Sequence, residues 1–273
     1  MSEASDEEAL VPAIDRLQRG IERLTELMQN IQEWTETHWQ HPRYEISDDG
    51  LTCTFFVDHD PPPPVREWGY LYSEAVHHIR SSFNILLHQI YMAEHPGAEP
   101  PRDLQFPIAL TGPEWRNQKK WLAGLPPEVI AAVESVQPKL DPPTVNTNAL
   151  AMLKRHSNLD KHVLDLKSHV LNEGMQIDSS VTLEGDAPTE MGELVPLGDE
   201  RGLFQVRTQR ERIVAADPKG IRAEGIICIE DPLVGPVGLL GSLPILTQTA
   251  AMVHHHIIEA WSGKRSATPV PES

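Results

Sequence analysis

Apolar residues recur at every third or fourth position over three long stretches of this chain, and no other feature of the sequence restricts the fold as strongly. This spacing places apolar side chains along one side of an α-helix. The stretches are the run Ile14, Leu17, Ile21, Leu24, Met28 and Ile31, the segment from about Trp68 to Glu94, and the segment from Thr147 to Leu171. A helical bundle is therefore predicted. Its first helix packs either into that bundle or at a seam between two protomers, since the same spacing serves both.

Shorter stretches have the alternation of β-strands. Arg43 to Ser47 and Leu51 to Val57 alternate around Asp48-Asp49-Gly50, a sequence that favours a hairpin turn. Three β-prone runs and a last helix follow Asn172, at 175–183, 203–209, 221–229 and 243–261. The predicted fold class is α+β, in which a helical bundle with an early β-hairpin is followed by a small antiparallel sheet and a C-terminal helix.

The same patterns suggest how the chain is divided. Residues 1–10 are acidic and 263–273 are rich in Ser, Thr and Pro, so both ends are expected to be disordered. Between them we expect a helical domain at 11–171, with the hairpin at 43–57, and a small β-rich part with the terminal helix at 172–262.

Composition excludes several classes of function. A net charge of −17 disfavours a surface that binds nucleic-acid phosphates, and we therefore expect no DNA partner. Cys53 and Cys228 form no metal or redox motif and are expected to be small core residues in a reducing, cytoplasmic environment. No apolar run approaches the roughly 20 residues that cross a bilayer, so no membrane partner is expected.

The best candidate site begins on the second predicted helix. At 100° per residue, His77, Ser81, Asn84 and His88 fall on one narrow stripe, and Arg80 lies beside it. A solvated helix face usually carries Lys and Glu, whereas this one carries groups that bind anions and exchange protons. The alternative is an ordinary solvent-facing side of an amphipathic helix.

A second polar segment lies on the third predicted helix. Asn158, Asp160 and His162 belong to an Asn-x-Asp-Lys-His sequence, and His169 shares a helix face with Asn158 and His162. If the two helices are neighbours, their polar faces meet in a pocket suited to acid–base chemistry on a phosphodiester. A buried polar network that locks the bundle would use the same residues.

No cofactor or metal is expected, although the chain contains 13 histidines. Adjacent residues such as those of the run His254 to His256 do not share a helix face for one ion. If the helices converge, His77, His88 and His162 are the preferred ligands. Phosphate-binding loops, dinucleotide fingerprints and Gly-x-Ser-x-Gly sequences do not occur in the chain.

Between about Arg43 and Leu171 the chain resembles a broad, largely uncharacterised bacterial group. In that group Pro and Trp precede a helix of the pattern Gly-Glu-x-x-His-Asn-Leu-Arg-Ser-x-Leu-Asp-His, to which Pro62 to Ile90 is similar. Three later landmarks match in the same order, Gln105 to Ile108, Gln137-Pro138 and Asn158 to His162. The helical part of the group resembles HEPN-type bundles.

This resemblance implies a dimer in which ribonuclease members use an Arg followed, after four to six residues, by a His. Arg80 and Ser81 match, but Ile85 occupies the place of the His and Asn84 that of an Asp. Two functions follow. The first is a non-catalytic HEPN-like homodimeric module that binds a partner or a small-molecule ligand. The alternative is a metal-independent ribonuclease of a bacterial conflict or toxin system, in which Arg80 and one of His77, His88 or His162 would cleave RNA.

Overall fold

The computed structural model describes residues 4–140, 148–159, 175–177, 180–184, 193–199, 202–209, 211–218, 221–223 and 227–267. They form helices and antiparallel strands, which confirms the predicted α+β class. Two compact units are built from interleaved segments, one from residues 1–28, 66–165 and 230–273, the other from 29–65 and 166–229. This division differs from the expected boundary near Asn172. The hairpin is grouped with the later strands, and the last helix with the helical segments.

Helix α1 spans Ala4–Thr37, so the acidic start is helical from Ala4 rather than disordered up to Leu10. Its buried stripe has alternating spacings of three and four residues. The stripe consists of Leu10, Ala13, Leu17, Gly20, Leu24, Leu27, Ile31 and Trp34. These residues are buried within a single chain, which favours packing of α1 in its own bundle over a seam between protomers.

Helices α1 and α2 run antiparallel. A Cβ added to Gly20 would lie 2.8 Å from Ile79 Cγ1 and 3.2 Å from Ala75 O, so the glycine allows a close approach between the two helices. Two turns earlier in α1, Ala13 N–H donates to Gln89 Oε1 at 3.2 Å. The partner residue in α2 thus moves backward along the chain as α1 moves forward.

The remaining helices belong to the first unit. Helix α2 covers Val65–Glu94, α3 Gly112–Gln118, α4 Pro127–Ser135, α5 Ala149–Leu159 and α6 Leu239–Ala267. Helix α6 packs on α4 and α5 and continues past residue 263, where a disordered tail was expected. Of the helix predicted at 147–171, residues 160–171 lie outside the described part of the chain.

The second unit contains the hairpin of β1 (Trp39–Ile46) and β2 (Thr52–Asp60), which confirms the prediction at 43–57. Gly50 adopts a left-handed φ of 71° in the turn, where Asp49 Oδ1 accepts from Leu51 N–H at 2.9 Å. Strand β2 pairs with β6 (Gly202–Arg207), which pairs with β5 (Glu193–Asp199), so the antiparallel sheet has the order β1-β2-β6-β5.

Short strand pairs complete the β part. The strands are β3 Met175–Ile177, β4 Ser180–Leu183, β7 Ile213–Asp217, β8 Ile221–Ala223, β9 Cys228–Asp231 and β10 Gly235–Gly238. They pair as β3 with β8, β4 with β7 and β9 with β10; β10 and the last two residues of β9 belong to the first unit. Cys53, Phe55, Val206 and Ile213 form the core of the second unit, so Cys53 is a core residue as expected. Within the described residues, no helix is long and apolar enough to cross a membrane.

Candidate functional site

The polar stripe of α2 binds the backbone of a neighbouring extended segment. Arg80 Nη2 donates to Phe106 O at 2.7 Å, and Asn84 Oδ1 accepts from Phe106 N–H at 2.8 Å. His88 Nε2 donates to Leu104 O at 2.7 Å, because a carbonyl oxygen can only accept. Three side chains spaced four residues apart therefore bond to the backbone of Leu104 and Phe106, which pairs with no strand in the described part of the chain.

The same segment, residues 104–109, is also held by Gln137. Its amide Nε2 donates to Pro107 O at 3.1 Å and to Val133 O at 2.9 Å, while Oε1 accepts from Ala109 N–H at 2.8 Å. Buried backbone groups require such partners. The landmarks at 105–108 and 137–138, together with the α2 stripe, thus meet in one arrangement that holds the 104–109 segment in the core.

Burial strongly affects the guanidinium of Arg80. Burial lowers the pKa of its guanidinium to about 10, which leaves it protonated at neutral pH. Nη1 is buried and has no hydrogen-bond partner among the described residues, and the guanidinium carbon lies 6.0 Å from the centroid of the Phe106 ring. Among the described residues, the hydrogen bond to Phe106 O is therefore the main interaction that stabilises this charge.

The other predicted site residues are exposed or half-buried, or lie outside the described residues. His77 is exposed and Ser81 is half-buried on the same helix, and Asn158 is exposed near the end of α5. Asp160, His162 and His169 lie outside the described residues. The proposed meeting of His162 with Arg80 therefore stays a prediction.

Helices α2 and α5 are neighbours, but different polar side chains join them. The Tyr72 hydroxyl lies 2.6 Å from His156 Nδ1, and His156 Nε2 lies 3.0 Å from Asp231 Oδ2. Because a carboxylate only accepts, Nε2 carries the imidazole hydrogen and Tyr72 donates to Nδ1. Arg155 Nε donates to the same carboxylate oxygen at 2.8 Å.

The second oxygen of Asp231 is also satisfied. Oδ1 accepts from Leu233 N–H at 2.9 Å and from Val234 N–H at 3.2 Å, so the carboxylate fixes the turn that follows β9. Burial alone would raise the pKa of Asp231, but these backbone bonds and the bond from Arg155 together lower it. Asp231 is thus held as a carboxylate.

Burial dominates the two other members of this Tyr–His–Asp network. It lowers the pKa of His156, although Asp231 opposes the shift, and it raises the pKa of Tyr72. Both side chains are fully buried. The order of donors is that of a proton relay, yet its terminal hydroxyl reaches no solvent. The arrangement joins α2, α5 and the turn after β9 as a fully bonded polar network.

The sequence carries a signal for the burial of His156. Ala149, Met152, Leu153 and His156 follow helical spacing and are all buried. A histidine in the apolar stripe of a helix must find a hydrogen-bond partner. Asp231 carries no comparable signal, since its partners come from a helix 75 residues earlier in the chain.

Three successive histidines of α6 contact different parts of the structure. His254 Nε2 lies 2.9 Å from Ser82 Oγ, His256 Nε2 lies 2.9 Å from Ser135 Oγ, and His255 forms an exposed pair with Glu259 at 3.2 Å. No three His, Cys, Asp or Glu side chains within the described ranges are arranged to hold one metal ion.

Comparisons with protein-family models, with curated proteins and with solved structures found no match to this chain.

Proposed function

We propose that this chain acts as a non-catalytic HEPN-like binding or interaction module. The observation that supports it is the use of the α2 stripe as a scaffold, since Arg80, Asn84 and His88 all bond to the backbone of Leu104 or Phe106. A catalytic His must exchange its proton with a reacting group. The Nε2 hydrogen of His88 is instead donated to a buried carbonyl.

The absence of a histidine at Ile85 supports the same proposal. The ribonuclease pattern requires a second group close to Arg80, and Ile85 has no titratable atom. The stripe residues left for a ligand or partner are the exposed His77 and the half-buried Ser81, which follow each other at one helical turn. The ligand proposed for this face is a small molecule or RNA, and the proposed assembly is the homodimer that the resemblance implies.

The alternative is a metal-independent ribonuclease, and one observation favours it. Arg80 remains a cation at neutral pH, and its Nη1 has no partner among the described residues. A guanidinium in this state would stabilise the charge that develops on a phosphodiester in the transition state. This function requires a conformation in which Nη1 reaches the substrate.

Purified wild type and Arg80→Ala should be incubated with single-stranded RNA, and their thermal unfolding compared. We expect intact RNA with both proteins and a lower Tm for Arg80→Ala, because Phe106 O loses its donor at a cost of about 1–3 kcal/mol. Arg66→Ala, an exposed arginine of the same helix, is the matched control and should leave Tm nearly unchanged.

If the wild type cleaves RNA and Arg80→Ala does not, with no change in Tm, the ribonuclease function is favoured over the binding module. Light scattering tests the assembly separately. A mass of about 61 kDa, twice the 30.5 kDa of the chain, is expected for the homodimer. A monomer at all concentrations would remove the dimer from the proposal.

A further inference from the structure

Three aromatic rings cluster at the open end of the hairpin. His38, just after α1, stacks on Trp34 with ring centroids 3.9 Å apart and an interplanar angle of 3°. The ring of His59, next to the end of β2, has its centroid 4.8 Å from that of His38 and 5.4 Å from that of Trp34. Trp34 Nε1 donates to Pro61 O at 3.0 Å, which fixes the indole against the chain that follows β2.

The tautomer of His38 is set by the backbone. Nδ1 lies 2.8 Å from Trp34 O, and because that oxygen only accepts, Nδ1 carries the hydrogen. Nε2 then carries a lone pair, and this nitrogen is buried without a hydrogen-bond partner among the described residues. In metal-binding histidines, one ring nitrogen binds the ion while the other commonly donates to a backbone carbonyl or a carboxylate. His38 has the same arrangement, with Nε2 as the nitrogen that can bind an ion.

His59 supplies a second nitrogen of the same kind. Both of its ring nitrogens are buried, and neither has a partner in the described part of the chain. A neutral imidazole keeps a lone pair on one of its two ring nitrogens, and that nitrogen can bind a metal ion.

The spacing of the two rings suits a single ion. Imidazole nitrogens bind Zn²⁺ at about 2.0–2.1 Å, which puts each ring centroid roughly 3.2 Å from the metal. Two such rings at angles of roughly 90–110° around the ion have centroids about 4.5–5.2 Å apart. The observed 4.8 Å, with the rings tilted by 53°, lies within this range.

We propose that His38 and His59 bind one divalent first-row transition-metal ion of the zinc, copper or nickel class through one nitrogen each. Imidazole suits these metals and disfavours Mg²⁺ and Ca²⁺, which prefer oxygen ligands. Water completes the coordination, because the protein contributes two ligands. The proposed ligands differ from His77, His88 and His162, which the sequence favoured, and the proposal is independent of the proposed function.

Untagged full-length protein should be titrated with Zn²⁺ by calorimetry and with Cu²⁺ while tryptophan fluorescence is recorded. We expect one Zn²⁺ per chain and quenching by Cu²⁺, because the indole of Trp34 stacks on a ligand. His38→Gln and His59→Gln should each weaken Zn²⁺ binding by at least about tenfold. In Trp34→Phe the Cu²⁺-dependent quenching should be reduced, with Trp39 beside His38 still contributing, while Zn²⁺ still binds.

Two variants control for adventitious binding. His41→Gln removes an exposed histidine of β1, and His255→Gln removes an exposed histidine of α6; both should bind Zn²⁺ like the wild type. Circular dichroism of each variant separates loss of a ligand from loss of the fold. The proposal is overturned if Zn²⁺ does not bind, or if folded His38→Gln and His59→Gln bind it as tightly as the wild type.

Discussion

Tyr72 and His156 are 84 residues apart in the sequence, yet the hydroxyl of one lies 2.6 Å from Nδ1 of the other in a fully buried position. The bond links α2 to α5 and is continued by Asp231. Tyr72, His156 and Asp231 are joined by successive hydrogen bonds. Removal of one of these side chains therefore leaves a buried group of its neighbour without a partner.

Tyr72→Phe should lower the free energy of unfolding by about 1–3 kcal/mol, because Nδ1 of His156 loses its donor while the ring volume is kept. Urea unfolding followed by circular dichroism measures the effect. Tyr70→Phe is the matched control, because the Tyr70 hydroxyl is exposed and accepts only from the exposed Arg66. An equal loss in both variants would show that the buried network contributes nothing particular to stability.

Stability should fall as the pH falls from about 6.5 towards 4, in part because of His254. Burial lowers the pKa of His254 to about 4, against an ordinary value of 6.5. In this window the unfolded chain takes up a proton and the folded chain does not, so the contribution is complete above pH 6.5 and is lost below it. The loss is at most about 3 kcal/mol.

The pH effect of His254 is measured as a difference between proteins. His254→Gln keeps a donor for Ser82 Oγ but cannot titrate, so its free energy of unfolding should vary less with pH than that of the wild type. His255→Gln should follow the wild-type curve, because His255 is exposed. Parallel curves for wild type and His254→Gln would contradict the assigned pKa.

Gly20→Ala should destabilise the protein by about 1–2 kcal/mol. Alanine favours a helix by up to about 1 kcal/mol over glycine, but a Cβ here meets Ile79 Cγ1 at 2.8 Å and backbone atoms at 3.2 Å, and overpacking costs about 1–3 kcal/mol. Gly241→Ala in α6 meets no atom within 4 Å and should be neutral or stabilising. Denaturant unfolding checks the contrast: the midpoint of Gly20→Ala should lie below that of the wild type, and that of Gly241→Ala at or above it.

Asn84→Asp and Asn84→Leu should differ strongly in stability. Asn84 uses its acceptor oxygen on Phe106 N–H, and an aspartate keeps that acceptor and adds a charge four residues from Arg80. We expect Asn84→Asp to match or exceed the wild type in Tm. Asn84→Leu should cost about 1–3 kcal/mol, because Phe106 N–H is left without an acceptor. Similar Tm values for both variants would refute the assigned contact.

Local patterns predicted the elements better than their pairing. The apolar spacing of α2 and the Asp-Gly turn of the hairpin gave nearly the observed bounds, because both depend on neighbouring residues. The acidic composition of residues 1–10 predicts disorder, but α1 begins at Ala4. Leu10 continues its buried apolar stripe. The joining of the hairpin to β6 depends on Cys53 pairing with Val206, a contact that no local pattern encodes.

The sequence predicts the α2 stripe as a group of polar residues on one helix face, but it does not predict their hydrogen bonds to an extended backbone segment. Residue types on a helix face do not reveal whether solvent, a ligand or an extended backbone covers them. The cover in this fold is the 104–109 segment, whose own sequence has only apolar residues and Gln105 to indicate its burial. Gln137, which completes the arrangement, lies far along the chain.

The run of three histidines in α6 affects how the register of this helix against its neighbours is selected. Each residue turns the helix by about 100°, so a one-residue slip moves every side chain to a new direction. After a slip of one residue, only one of the two serine-bonded positions, 254 and 256, would still receive an imidazole, and the other would receive Val253 or Ile257. The hydrogen bonds to Ser82 and Ser135 thus help the buried apolar residues Val253, Ile257 and Trp261 to select one register.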